Sequence, residues 1–197
     1  MFKIHSTKEF ERKEDLQMEE MMIIEGLKKL KLFKKKIATN AKLIEEYSSI
    51  LSTERPVFDS EAEQRKQVQS LVQANMDLNT AISTMKQRID LTNLLTRVKF
   101  FGREWTIHEM IQHRRNLIVE HILPTYNALS NKGASARFRN LSNVGDAKVV
   151  CLFDEKEKQK QLAEWNEIKE TIDSRLETVN ATTRLLDLNE VIVRVIG

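Results

Sequence analysis

The feature that most constrains this chain is a row of residues at alternating three- and four-residue spacing: Val68, Leu71, Asn75, Leu78, Ile82, Met85, Ile89 and Thr92. Only a helix brings these positions onto one side, because a turn takes about 3.6 residues and the alternation averages close to that. Asn75 and Thr92 apart, the row is apolar. Such a stripe has to be buried against a second helix, and the preceding sequence supplies one. Leu30, Lys34, Ile37, Ala41, Ile44, Ser48 and Leu51 keep the same spacing, with Lys34 and Ser48 as polar exceptions, and Glu54-Arg55-Pro56 is expected to end that helix. Ser60 and Glu63 then stand at capping-box spacing and open the helix that carries the long row.

Val98–Trp105 places apolar and polar residues around Gly102 and predicts a turn or a short strand pair. Thr106 and Glu109 form a second capping box, with Trp105 and Met110 where a hydrophobic staple belongs, so a third helix starts there with Ile107, Ile111, Ile118, Ile122 and Leu129. Pro124 should kink or interrupt it. Residues 131–144, rich in Gly, Ser and Asn, read as a loop, Lys148–Phe153 as a short apolar run, and Asp154 with Glu157 as the opening of a fourth helix reaching about Leu186. Five Gly and two Pro, with charged residues at 31% and aromatics at 6%, suit long exposed helices better than a compact β core.

The ends of the long helices repeat. Arg88, Ile89, Asn93, Thr96, Arg97 and Val98 match Arg175, Leu176, Asn180, Thr183, Arg184 and Leu185 at a constant offset of 87. The beginnings of the same helices, Phe58, Asp59, Gln64 and Arg65 against Phe153, Asp154, Gln159 and Lys160, agree at an offset of 95, so the fourth helix is shorter by eight residues. Ile23, Glu25, Leu27 and Phe33 pair more weakly with Ile107, Glu109, Ile111 and Leu117 at an offset of 84. The expected fold is therefore all-α: two duplicated long helical hairpins, 22–98 and 99–188, forming an elongated four-helix bundle, preceded by an arm at 1–21 and followed by a β-prone tail at 189–197.

Ile24-Glu25-Gly26-Leu27 through Ile37, Gly102-Arg103-Glu104 with Thr106, the Lys148–Phe153 run and the ending Asn180-Ala181-Thr182-Thr183-Arg184-Leu185 resemble the septicolysin-like family of small helical bacterial proteins over about Met22 to Leu188. The resemblance implies the helical fold and brings no catalytic residues. The arm and the tail depart from the family pattern.

Motifs with chemistry are few. His108-Glu109 and His113 approach a metalloprotease pattern, but a spacing of five turns the second imidazole about 140° around a helix from the first, which is poor for a shared zinc. Glu109 is also taken by its cap. Cys151 is a single cysteine, which suits a reducing compartment and excludes an intramolecular disulfide. Lys28, Lys29, Lys31, Lys34, Lys35 and Lys36 crowd one helix, interleaved with leucines; they could meet an anionic surface, or form a solvated face balanced by acidic residues across the bundle. Arg137, Phe138 and Arg139 are candidate partner contacts, as are Val191, Val193 and Val195 in the tail. A net charge of +3 gives no general reason to expect nucleic acid.

No run of 18 apolar residues exists, and Met1–Ser6 leads into charged sequence, so a soluble protein made in the cytoplasm is expected. The sequence supports a non-enzymatic structural or assembly protein without a cofactor, a homo-oligomer or a component of a larger particle such as a phage virion. A membrane-active protein using the lysine-rich helix is the alternative.

Overall fold

The computed structural model describes residues 21–140 and 148–187. The chain is mostly helical, with one small two-stranded sheet. Helix α1 spans Ile23–Tyr47 and α2 Glu61–Leu95; strands β1 (Arg97–Phe100) and β2 (Arg103–Thr106) follow, then α3 (Ile107–Gln112), a π-helical stretch (His113–Ile122), α4 (Leu123–Ala128), α5 (Lys132–Asn140) and α6 (Glu155–Thr182). Two compact units result: one holds residues 21–95 with 180–187, the other Thr96–Val179. The arm, the tail from residue 188 and residues 141–147 lie outside the described residues.

In the first unit, α1 and α2 pack as the long row requires. Val68, Leu71, Asn75 and Leu78 are half-buried, and Ile82, Met85, Ile89 and Thr92 are buried. Asn75 accepts a hydrogen bond from Asn40 Nδ2 at 2.9 Å, a polar pair inside the seam that fixes which turns of the two helices meet. On α1 only half of the expected stripe is right. The inward ridge is Ile23, Gly26, Leu30, Phe33, Ile37, Asn40, Ile44 and Tyr47, whereas Lys34, Ala41, Ser48 and Leu51 are exposed. The row through Phe33 buries an aromatic ring where the row through Lys34 would bury ammonium, so hydrophobic transfer decides between them. The helix also stops at Tyr47, well before Pro56. Ser48 donates from its hydroxyl to Glu45 C=O at 3.3 Å, and Glu54 Oε2 accepts the Leu51 amide at 3.0 Å; these local bonds replace helical ones. Gln64, buried, closes the bend by donating to Tyr47 C=O (2.8 Å) and accepting the Val57 amide (3.0 Å).

The second unit opens with the expected strand pair, an antiparallel hairpin with Val98 opposite Trp105. Its turn residues Phe101 and Gly102 have φ of 46° and 73°, the pair of positive angles that lets a two-residue turn follow the strand twist. Trp105 donates its indole N–H to Phe100 C=O at 3.0 Å, and the Arg103 guanidinium lies 3.6 Å above its ring. The Thr106–Glu109 capping box is complete: Thr106 Oγ1 accepts the Glu109 amide and Glu109 Oε2 accepts the Thr106 amide. Ile107, Met110, Ile118 and Ile172 are almost wholly enclosed.

Pro124 does not end the third helix. Instead the ten residues from His113 to Ile122 adopt π register, and α4 then carries the proline in its first turn. Proline has no N–H, and its ring crowds the carbonyl four residues back, so the α register is given up just before it. The Leu123 amide reaches Ile118 C=O five residues away, and Arg115 meets Glu120, also five residues on, at 3.5 Å. Arg114 pairs with Asp173 of α6 at 2.8 Å.

Two further expectations need correction. Residues 132–140 form helix α5 rather than loop, with Lys132-Gly133 at its start and Arg137 and Arg139 in its last turn, where cations suit the carbonyl-rich end. Helix α6 stops at Thr182 instead of about Leu186, because the residues that follow take hydrogen bonds from elsewhere in the chain. Asp154 does open it, accepting the Lys156 amide at 2.7 Å.

Candidate functional site

The most tightly built place in the first unit is where the chain returns after α6. The Ile23 amide donates to Thr183 C=O at 3.0 Å and the Leu185 amide to Met21 C=O at 2.7 Å, around a single antiparallel bridge between Met22 and Arg184. Helix α2 grips the same stretch from another side. Thr92 Oγ1 accepts the Leu186 amide at 3.0 Å while donating to Arg88 C=O at 2.7 Å, and Arg88 Nε donates to Leu186 C=O at 2.9 Å. Thr92 is 0% and Arg88 3% exposed, so these bonds work in a dry setting where losing one is costly. Gly26 brings α1 close: a Cβ there would stand 2.7 Å from Leu185 Cδ1 and 3.2 Å from Met85 Sδ. Helical spacing alone accounts for Thr92 on the stripe; the partner that satisfies it lies 94 residues away.

The same pattern occurs in the second unit. Ile107 donates to Thr96 C=O at 3.2 Å, as Ile23 does to Thr183, and Arg97 stands opposite Thr106, as Arg184 does opposite Met22. Glu25 accepts the Met22 amide at 2.8 Å as Glu109 accepts that of Thr106. Every one of these partners corresponds at the offset of 84 or 87 found in the sequence. Burial corresponds too: Ile23 with Ile107, Met85 with Ile172 and Val98 with Leu185 are all enclosed.

No protein-family model, curated protein or solved structure matches this chain.

The expected contact residues are spread over separate elements. Lys28, Lys29, Lys31, Lys34, Lys35 and Lys36 are all exposed on α1, and none makes an ion pair with a described residue. Arg137, Phe138 and Arg139 are exposed on α5, with Arg139 Nε turned back to Ser135 C=O at 3.4 Å. Val191, Val193 and Val195 lie outside the described residues. Cys151 is exposed, between exposed Val150 and Leu152.

His113 packs edge-on against Trp105 with ring centroids 5.2 Å apart, and burial, aided by the Arg103 charge, holds its pKa below the usual histidine value. Glu109 titrates below the ordinary carboxylate range because the Thr106 amide and hydroxyl bond its charged form. Among the described residues no three His, Cys, Asp or Glu side chains are grouped to hold a metal ion. Asn93, near the end of α2, buries its Oδ1 without a partner among the described residues.

Proposed function

We propose that the protein is a non-enzymatic assembly component. Its body is a duplicated helical hairpin arranged as a four-helix bundle, and its terminal segments join that body to further copies or to a larger particle such as a phage virion. The observation that carries this reading is the grip of Arg88 and Thr92 on Leu186 together with the Met22–Arg184 bridge. It fixes the chain's entry into α1 and its exit from α6 side by side, so that residues 1–20 and 188–197 continue from a rigid joint. Whatever those segments bind is thereby held at a set place on the body, which is what a structural connector requires. The matching hydrogen bonds at Ile23 and Ile107 support the duplication, and the exposed Val150 and Leu152, on either side of Cys151, offer apolar surface for contact. The septicolysin-like resemblance adds to the reading only as regards the helical body.

A membrane-active role draws less support. The apolar side of α1 is packed on α2, leaving Leu27 and Leu32 as exposed leucines beside the lysines, and no helix among the described residues is long and apolar enough to cross a membrane.

The test is light scattering after size-exclusion chromatography on the full chain and on a chain lacking Glu190–Gly197. The expected result is an oligomer for the full chain and a smaller species with unchanged helicity for the truncated one. A full chain that is strictly monomeric at high concentration, or a truncation that leaves the oligomer intact, overturns the connector role of the tail.

A further inference from the structure

Between Glu25 and Glu45 helix α1 carries seven lysines and no acidic residue. Lys28, Lys31, Lys35 and Lys42 follow one another three, four and seven residues apart, which places them on one face of the helix. That face is opposite the ridge of Gly26, Leu30, Phe33, Ile37, Asn40 and Ile44 that turns inward, and all four lysines are exposed. Fourteen residues of helix make the row about 21 Å long. Among the described residues none of the four makes an ion pair, and an exposed ammonium group can exchange its small counterions for a larger anion.

We propose that this face binds the phosphate backbone of double-stranded nucleic acid without reading its sequence. A straight, regularly spaced row of point charges suits a straight, regularly charged polymer. Lysine lacks the planar fork that reads guanine edges, so affinity without base preference follows. The row has no exposed aromatic ring on which unstacked bases could lie, since Phe33 and Tyr47 sit on the inward ridge, and this disfavours single strands. A lipid bilayer fits less well, because insertion needs the apolar side of the helix that α2 already covers. The inference goes beyond the assembly reading and does not depend on it: the near-neutral whole chain carries a local concentration of positive charge on this face.

The experiment measures fluorescence anisotropy of a labelled 30-base-pair duplex with the full chain between 50 and 200 mM KCl. With four phosphate contacts, log K should fall with log salt at a slope of about −3.6, an affinity loss of about 150-fold across that range. The Lys28→Gln/Lys31→Gln/Lys35→Gln/Lys42→Gln variant should lose the salt-dependent binding while keeping the helicity of the wild type. A Lys66→Gln/Lys86→Gln variant, altered at two exposed positions on α2, should bind as the wild type does. Equal binding by the quadruple variant and the wild type overturns the proposal. So does flotation with phosphatidylserine vesicles at 50 mM KCl in the absence of any duplex binding, which would assign the face to a lipid surface.

Discussion

Removing the Thr92 hydroxyl while keeping its shape isolates the grip on the returning chain. In Thr92→Val the Leu186 amide loses its only hydrogen-bond acceptor among the described residues, in a place where the hydroxyl is fully enclosed. An unsatisfied buried donor costs about 1 to 3 kcal/mol. The donation to Arg88 C=O adds little, since a carbonyl inside α2 also serves the helix, and the second methyl of valine takes the place of the hydroxyl at nearly the same volume. We therefore expect a loss of about 2 kcal/mol, or a fall in Tm of roughly 4 to 8 °C for a chain of this size. Thr92→Ser keeps the hydroxyl and removes one methyl, a loss of about 1 kcal/mol. Urea unfolding followed by circular dichroism gives the ranking, and hydrogen exchange of the Leu186 amide locates it, because that amide should exchange faster in Thr92→Val and stay protected in Thr92→Ser. If serine proves the more damaging change, or the Leu186 amide is equally protected in both, the hydroxyl is not what holds the chain end.

Other consequences are open to measurement. Gly26→Ala, although alanine is the better helix former by about 1 kcal/mol, should lower Tm because the new methyl meets the enclosed Leu185, whereas Gly133→Ala on α5, where only Arg137 Nη1 lies 3.8 Å from the added Cβ, should raise it. A rise for Gly26→Ala would mean that the Leu185 end swings aside. Phe101→Asn relieves a bulky residue from a left-handed conformation that asparagine tolerates, and a gain of about 0.5 kcal/mol in thermal unfolding should remain after loss of the contact with Phe100; a lower Tm would show that the ring pair outweighs the strain. Because the folded pKa of Glu109 is depressed, its stabilising effect is present above the unfolded carboxylate value and is lost as pH falls through the folded one. The Tm difference between wild type and Glu109→Gln should accordingly be present at neutral pH and vanish in acid, and a constant difference would contradict the charged cap.

The features legible in the sequence are local or periodic. The row from Val68 to Thr92 specified α2 and its inward face, because a 3-4 spacing has only one helical interpretation. Thr106 with Glu109 specified a helix start, because both bonds of the box join residues three apart, and Gly102 marked the turn of a hairpin. Constant offsets even linked Thr96 with Thr183 before any hydrogen bond was visible. The tertiary structure decided whatever depends on a distant partner. Leu30, Ile37 and Ile44 belong to a stripe through Phe33 or through Lys34, and only packing against α2 selects the first. Residues 132–140 carry loop-like composition yet form a helix. Pro124 marks an interruption of the third helix, but that it takes the form of a long π stretch is not legible in the sequence. Thr92 reads as a polar interruption of an apolar seam, but its hydroxyl, like the Arg88 guanidinium, meets Leu186, and no pattern within α2 encodes that meeting. The charge of the α1 lysines is plain in the sequence; that they point away from α2 is decided by packing, because α2 lies along the opposite side of α1.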